Sequence, residues 1–394
     1  MTQTTAEGPV PPDDAELTRP PPSEESKRLT SLDAFRGATI AGMILVNNPG
    51  SWTSVYPPLL HAEWHGWTPT DLIFPFFLYI VGVAMPISYT SRRAQGSWSS
   101  ELRRHALKRS LVIFGLGSFM ALFPFFNNWD TLRVMGVLQR IGVVYLLAST
   151  IYLTFGPRGR LGWTAVLLLG YWALMILVPV PGFGPGDLSQ EANLAAYIDR
   201  AVLGQEHLWR GDTWDPEGLL SSLPAVATTL LGIFTGELLL SEAPVRRRLL
   251  ILAGLSLAAI ALGLYWDRFF PINKSLWTSS YVVFTAGMGG LLLVGFYWAV
   301  EVVGWKAWAR PFAVYGMNPL AVFVASGLLS KGLILWPVPL EAGGMTTAYD
   351  WIYTTVFSPR AGPTNASLAF ASAHVVTWLV VAWLLHWRRL YIKI

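Results

Sequence analysis

Apolar runs of near-bilayer length recur along almost the whole chain, and this feature leaves few folds open. They cover residues 32–48, 70–90, 107–126, 134–155, 161–180, 219–240, 249–265, 277–300, 311–330 and 366–387. Each is close to the ~20 residues an α-helix needs to cross a hydrocarbon core. Inside that core every backbone N–H and C=O must be bonded within the chain, so such runs fold as helices. The expected fold is therefore all-α, a polytopic transmembrane helix bundle of about ten spans. Charged residues make up only 13% of the 394, against about 25% in a typical soluble domain. Lipid must cover much of the surface, and the 19 Trp suit a chain with many membrane–water boundaries.

Lys and Arg sort the loops into two sets. With the N-terminus in the cytosol, one set holds Arg92, Arg93, Arg103, Arg104, Lys108 and Arg109, then Arg158 and Arg160, then Arg246, Arg247 and Arg248. It continues with Lys306, Arg310, Arg388, Arg389 and Lys393. The opposite set holds only Arg133, Arg200, Arg210, Arg268, Lys274, Lys331 and Arg360. This bias places both termini in the cytosol and calls for an even number of spans. The net charge of +4 lies in these short loops, so it reports topology and gives no nucleic-acid surface. The chain has no Cys, which excludes disulfides and thiolate chemistry. Residues 1–29 are rich in Pro, Glu, Asp and Ser and are expected to form a disordered cytosolic tail. They lack the pattern of a cleaved signal peptide, so the first span is expected to act as an uncleaved anchor. Residues 30–394 then form the membrane domain. Its segment 181–218 is a long Gly-, Pro- and Asp-rich outer loop with the character of a lid. Residues 350–357 are too short to cross and read as interfacial or re-entrant.

Polar groups in or beside the spans carry the functional information, because each is costly in lipid unless paired or used. Asp33 and Arg36 lie three apart on one helix face: they are either a helix-start acid and a snorkelling cation, or an anion site for a phosphorylated cosubstrate. Asn47 and Asn48 close the first span, as a helix cap or as an amide donor to an oxyanion. His61-Ala62-Glu63-Trp64-His65-Gly66 follows. With no Cys present, a histidine there is the best proton acceptor near neutral pH, and its spacing is not that of a zinc protease. Thr68-Pro69-Thr70-Asp71 reads as a helix start, which by itself accounts for all four residues. Pro75 and Pro86 are expected to kink the second span. Gln139 and Arg140 lie inside the fourth span, where the guanidinium needs a partner such as Asp71 or Glu217. Asp215-Pro216-Glu217-Gly218 reads as another helix start. Asn273 and Lys274 stand in an outer loop, and Asn318 precedes a proline in the ninth span, where a kink would line a cavity. His105 falls in a basic loop and His374 and His386 on the last span, all three read as structural. No role is read for His207.

Taken in order, these stretches resemble the heparan-alpha-glucosaminide N-acetyltransferase family. The residues that carry the resemblance are Leu32-Asp33-Ala34-Phe35-Arg36-Gly37, the His61–Gly66 stretch, Asp71-Leu72-Ile73-Phe74-Pro75 and Leu138-Gln139-Arg140-Ile141-Gly142. They continue with Asp215-Pro216-Glu217-Gly218-Leu219, Asn273-Lys274-Ser275-Leu276-Trp277 and Tyr315-Gly316-Met317-Asn318. The resemblance runs from about Ser31 to the C-terminus. It implies an enzyme that takes acetyl from cytosolic acetyl-CoA as cosubstrate, without a metal, and passes it to the amine of a glucosamine-type sugar on the far side. The family's active histidine falls on His61 and its partner asparagine on Asn47, with Asn48 as the alternative because the gap to His61 is about three residues longer here. His65 stands where the animal enzyme has an asparagine. No large outer domain precedes the first span, which implies a small amino sugar, a cell-wall fragment or a glycan as acceptor rather than polymeric heparan sulfate.

On that footing His61 takes the amine proton and the Asn47 amide supports the oxyanion. Arg36, Arg140, Gln139, Asn273 and Lys274 are candidates to hold the cofactor. Asp33, Asp71, Glu217 and Asn318 are substrate or structural polar groups. The acetyl group reaches His61 either on a pantetheine arm threaded through the bundle or as an acetyl-His61 relay. Two other readings stand beside this one: a secondary transporter with Arg140, Asp71 and Asn318 lining its path, and an O-acyltransferase acting on a glycan hydroxyl. The expected location is the inner or plasma membrane of a bacterium, with the lipid bilayer, acetyl-CoA and an amino-sugar acceptor as partners. The sequence itself is silent on oligomeric state, and the resemblance implies a homodimer.

Overall fold

The computed structural model describes residues 29–96, 98–125, 129–340 and 343–392. The expected disordered tail therefore lies, apart from Leu29, outside the described residues. Ten helices or helix pairs stand where the ten runs were read. They are α1 (Thr30–Asn47), α2 (Pro69–Ala94), α3 (Ser99–Leu122), α4 (Val137–Thr154) and α5 (Pro157–Leu177). A shorter helix, α6 (Leu194–Leu203), lies within the long loop. There follow α7 (Ser222–Leu240), α8 (Val245–Trp266), α9 (Ser279–Tyr297, prolonged by a π-turn over Trp298–Val302), α10 (Arg310–Met317) and α11 (Pro319–Leu335). The short α12 (Ala348–Ile352) and the long α13 (Pro363–Trp387) complete the set. Among the described residues the only sheet is the hairpin β1 (Pro337–Pro339) and β2 (Met345–Thr347).

Seven helices, α2, α4, α5, α7, α8, α9 with its π-turn and α13, are long and apolar enough to cross a membrane. The α10–α11 pair makes an eighth, bent by 84°. This is a multi-pass membrane bundle. Two helices fall short of that measure, and their sequences show why. The first turns of α1 carry Asp33 and Arg36, and those of α3 carry Arg103, Arg104, Lys108 and Arg109. Because α3 begins at Ser99, His105 lies on a helix, not in a loop. The run read over 311–330 is not one straight helix: the chain turns sharply at Asn318–Pro319, where proline cannot continue the hydrogen-bond ladder. In α2, by contrast, the helix runs unbroken through Pro75 and Pro86.

Lipid tails are as apolar as Leu, so helices in a membrane associate by close packing and polar contacts, not by hiding apolar surface. The centre shows both. In α2 and α7, a Cβ on Gly82 would meet Thr229 O at 2.1 Å, and one on Gly232 would meet Tyr79 O at 2.1 Å. Only glycine permits that approach, and in the same interface Tyr79 OH lies 2.6 Å from Thr235 Oγ1. About 72% of the apolar window of α2 and 67% of that of α7 are buried, against 22% for α8 and 28% for α5 and α13. The first two form the core, and the other three present Leu, Val and Trp outwards. A second close pair joins α1 to α10, where Gly37 faces Phe312 O and Gly316 faces Asp33 O.

Candidate active site

Residues 49–68 leave α1 and return to start α2, and the start is the one the sequence calls for. Thr68 is the N-cap, Pro69 the first helical residue and Asp71 the third position of a capping box. Asp71 Oδ2 accepts from the backbone N–H of Thr68 at 3.0 Å, from that of Ala62 at 3.0 Å and from the Thr68 hydroxyl at 3.1 Å. Oδ1 remains, and it accepts from His61 Nδ1 at 2.6 Å. A carboxylate only accepts, so Nδ1 carries the proton and Nε2 keeps its lone pair. The Asp71 side chain is 2% exposed and that of His61 50%: a fixed carboxylate orients a half-exposed imidazole. Helix capping and histidine orientation are thus done by two oxygens of one side chain.

The loop between α8 and α9 closes on the same place. Gly66 N–H donates to Ile272 O at 2.7 Å, and Tyr281 at the start of α9 donates to the Asp71 backbone carbonyl at 2.5 Å. Asn273 is fully buried; its Oδ1 accepts from Leu276 N at 2.8 Å, and its Nδ2 lies 3.3 Å from His65 Nδ1. The next residue, Lys274, places Nζ 3.3 Å from His61 Nδ1 and 3.3 Å from Nε2, with Asp71 Oδ1 at 4.0 Å. Burial pushes the Lys274 ammonium below its ordinary range, while the Glu217 and Asp71 charges pull the other way. Asn273 and Lys274, read as cofactor-holding residues, therefore stand against the histidine pair.

A second ionic group lies behind Lys274. Arg133 donates to Asp215 through Nε (2.9 Å) and Nη2 (2.5 Å), and to Glu217 Oε2 at 2.6 Å. Residues 215–218 are a turn, and α7 begins only at Ser222. The partner suggested for Arg140 is thus taken by Arg133, whose acids lie more than eighty residues away, a pairing that local sequence cannot display. Arg140 is fully buried and donates to Gly218 O at 3.2 Å and to the Ser221 hydroxyl, with its guanidinium over the Trp277 ring at 5.1 Å. It ties the 215–221 turn to the Asn273–Trp277 loop, and its Nε and Nη1 are buried with no hydrogen-bond partner among the described residues. Gln139, the residue before it in α4, lines a cavity of about 450 Å³ with Arg133, Gly117, Gly136, Phe323 and Lys331.

The long loop is structured. Its helix α6 brings in Asp199, which the sequence did not single out. This side chain is buried, accepts from Leu219 N at 2.8 Å and abuts Gly218. Burial, reinforced by the nearby Asp215 and opposed by the Leu219 N–H and by Arg140 and Arg200, pushes its pKa up to about 7. The loop also leans on the His61 segment: Trp64 Nε1 donates to Leu188 O at 2.8 Å, and its ring meets Trp214 at 5.0 Å. His207, which had no role in the sequence, lies 2.8 Å from Leu132 O and anchors this loop beside α4.

Other expected residues lie elsewhere. Asp33 and Arg36 form their i,i+3 pair at 3.0 Å, and Arg36 also reaches Gly316 O at 3.4 Å, at the opposite end of α1. Asn318 is buried, with Nδ2 donating to Leu390 O at 3.1 Å and Oδ1 accepting from Ile392 N at 2.8 Å. Through these two bonds it clasps the C-terminal segment. Asn48 is the C-cap residue of α1 and is buried, whereas Asn47, the last residue of α1, is exposed. No hydrogen bond joins either to His61 among the described residues. Nor do the described residues hold any group of three or more His, Asp or Glu that could bind a metal ion.

Fold and site together define a multi-pass membrane protein whose helix-capping carboxylate orients a solvent-facing histidine, the arrangement of a general base. Its family follows from comparison with known proteins. Residues 28–263 match the model of the heparan-alpha-glucosaminide N-acetyltransferase catalytic family. Human heparan-alpha-glucosaminide N-acetyltransferase is 31% identical over 353 residues, covering 75% of this chain and 52% of the human protein. The mouse protein of the same name is 28% identical over 363 residues, covering 78% of this chain and 54% of its own. The chain belongs to this family, and it spans about half the length of the curated relatives it matches.

Proposed function

We propose that the chain is a transmembrane acetyltransferase that passes acetyl from cytosolic acetyl-CoA to the amine of a glucosamine-type sugar on the other side of the membrane. The observation that carries this reading is the His61–Asp71 pair at 2.6 Å, on an imidazole that is half exposed. Family membership and the names of the human and mouse relatives support it. Asp71 holds the tautomer in which Nε2 is the base, and Nε2 takes the proton from the attacking amine. As the new C–N bond forms, the thioester oxygen gains charge, for which the exposed Asn47 amide at the end of α1 is our candidate donor. When the C–S bond breaks, CoA leaves as thiolate and receives the proton from His61. The arginine bias of the loops supports ten spans with both termini in the cytosol, which sets His61 at the far face. The rival path-lining reading loses support because Arg140 and Asn318 are tied to protein partners.

The test is CoA release by purified protein in detergent, supplied with acetyl-CoA and a panel of acceptors: glucosamine, larger amino sugars and hydroxyl-only sugars. Release with amines alone is the expected result, and release only with hydroxyl acceptors would move the reaction to O-acylation. His61→Ala is expected to lower turnover by about 10²–10⁴-fold. Unchanged turnover in that variant would remove the assignment. Labelled acetyl trapped on His61 without acceptor would select the relay over direct transfer.

A further inference from the structure

The end of the bundle where α1 begins carries a cavity that no step above uses. It holds about 370 Å³ and lies where the first residue of α1, the helix α10 and the last turn of α13 meet. The loop charges assign this end to the cytosol. Three of the described residues that line it are basic, Lys306, Arg310 and His386, and none is acidic. The acids close by in the chain are engaged: Glu301 accepts from Ser31 N at 3.0 Å, and Asp33 pairs with Arg36. Among the described residues neither Lys306 nor Arg310 forms an ion pair. Arg310 N–H donates to Lys306 O at 3.1 Å, so the two cations stand one helical turn apart on the same side. The Arg310 guanidinium lies over the Trp383 ring of α13 at 5.2 Å, which fixes the plane of its donor fork. His386 has the Tyr391 hydroxyl 3.3 Å from its Nδ1. The rest of the wall is apolar and includes Ala313, Val314 and Met317. Trp305, Trp383 and Trp387, on the same segments, are exposed, and exposed indoles collect at the depth of lipid headgroups.

We propose that Lys306, Arg310 and His386 form a binding site for an anionic phosphate ester. The fixed guanidinium and the ammonium take the phosphate oxygens, and the apolar wall takes the carbon body beside them. Inorganic phosphate uses only the first of these surfaces, whereas an ester uses both. A topology signal asks only that cations stand in the loops of one face. It does not ask that they share a cavity, that one be laid on an indole, or that acids be kept out. Two sources bring this chemistry to that face: the headgroup of an anionic phospholipid, and the phosphates of a nucleotide cosubstrate such as acetyl-CoA. The first goes beyond the acetyltransferase reading and needs no catalysis, and the second rests on that reading.

Binding is read as the rise in unfolding temperature of the purified full chain in neutral detergent. The salt is about 0.15 M, where exposed charges more than about 8 Å apart are largely screened. The probes are phosphatidylglycerol and phosphatidylcholine in mixed micelles, and CoA, each titrated alone. A saturable rise is expected with phosphatidylglycerol or with CoA, and none with the zwitterionic phosphatidylcholine. The double variant Lys306→Gln/Arg310→Gln should weaken the responding probe by at least about tenfold. Lys306→Gln alone serves in its place should the double variant not fold. Arg103→Gln/Arg104→Gln removes two exposed cations from α3 and should change the affinity by less than about twofold. A loss seen with phosphatidylglycerol assigns the lipid as ligand, and a loss seen with CoA assigns the cosubstrate. Equal losses in the two double variants would reduce the site to the general attraction of a basic face and overturn the proposal. So would the absence of a response to both anionic probes. Acetyl transfer to amines with no binding that depends on Lys306 and Arg310 would overturn this proposal and leave the acetyltransferase reading standing. Phosphatidylglycerol binding that depends on them would uphold it even in a protein that releases no CoA.

Discussion

His61 and His374 both lie near the end of the bundle where α1 finishes, and each has a polar neighbour on another segment, yet the two settings differ in kind. His61 has a buried carboxylate on Nδ1, an ammonium 3.3 Å from both ring nitrogens and a half-exposed side chain. His374 is 8% exposed, lies over Phe370, and has Nε2 3.3 Å from the Ser330 hydroxyl. Ser330 donates to Asn48 Oδ1, and Asn48 Nδ2 donates to Ile44 O at 2.7 Å. The second group joins α1, α11 and α13 through neutral hydrogen bonds that satisfy one another, which is how a brace between membrane helices is built. The first has a fixed acceptor, an open face and charges near at hand, which is how a base is built. Histidine content alone separates nothing; the carboxylate and the opening do.

The largest expected effect breaks the comparison at the carboxylate. Asp71→Asn keeps an oxygen for the helix cap but no longer fixes the His61 tautomer, and kcat is expected to fall by about 10²-fold or more. His374→Gln, with its brace partner still able to bond, should hold kcat within about threefold. A steady-state comparison of the two variants decides it, and equal losses would erase the distinction. The two asparagines sharpen it further. Asn48→Ala removes its two buried hydrogen bonds, from Ser330 and to Ile44 O, at an expected cost of about 1–3 kcal/mol in stability, read by thermal unfolding in detergent. Asn47→Ala touches nothing buried, so its unfolding should not move, while loss of an oxyanion donor would lower kcat by about 10²-fold. The reverse pattern would assign the amide role to Asn48.

Much of this was legible in the sequence, and the remainder has a physical reason. The span positions followed from backbone saturation in lipid, and the Thr68–Asp71 helix start followed from capping rules. Capping was a complete explanation of Asp71 as far as local sequence goes, which is why its second oxygen, turned to His61, stayed hidden. Lys274 and Asn273 looked like loop residues because their partners at 61 and 65 are some two hundred positions away. Arg133 was passed over for the same reason: nothing near it in sequence is acidic except Asp130, and its true partners come from the turn before α7. Arg140 was noticed as an intramembrane charge, but its hydroxyl, carbonyl and indole partners are ordinary residues that no motif marks. Local order is written in short spacing, whereas a site assembled from four loops is not.

The smallest effect concerns the cap that leans on the His61 segment and has no counterpart over His374. Asp199 docks α6 on the turn at Gly218–Leu219, and its carboxyl has a pKa near 7, against about 3.9 in an unfolded chain. The folded cap thus holds the proton more tightly than the opened one does. Its docking is fully favourable below about pH 4 and weakens as pH rises through 7. Amide exchange in α6, corrected for intrinsic rates, should speed up by about tenfold between pH 5 and pH 8, with α2 and α7 unaffected over the same range. Asp199→Asn cannot ionise and should flatten that dependence. If exchange in α6 of the unaltered protein did not change with pH, Asp199 would have to share its charge with Arg140 or Arg200 more fully than the buried geometry allows. The cap over His61 would then be held by Trp64 and Leu188 alone.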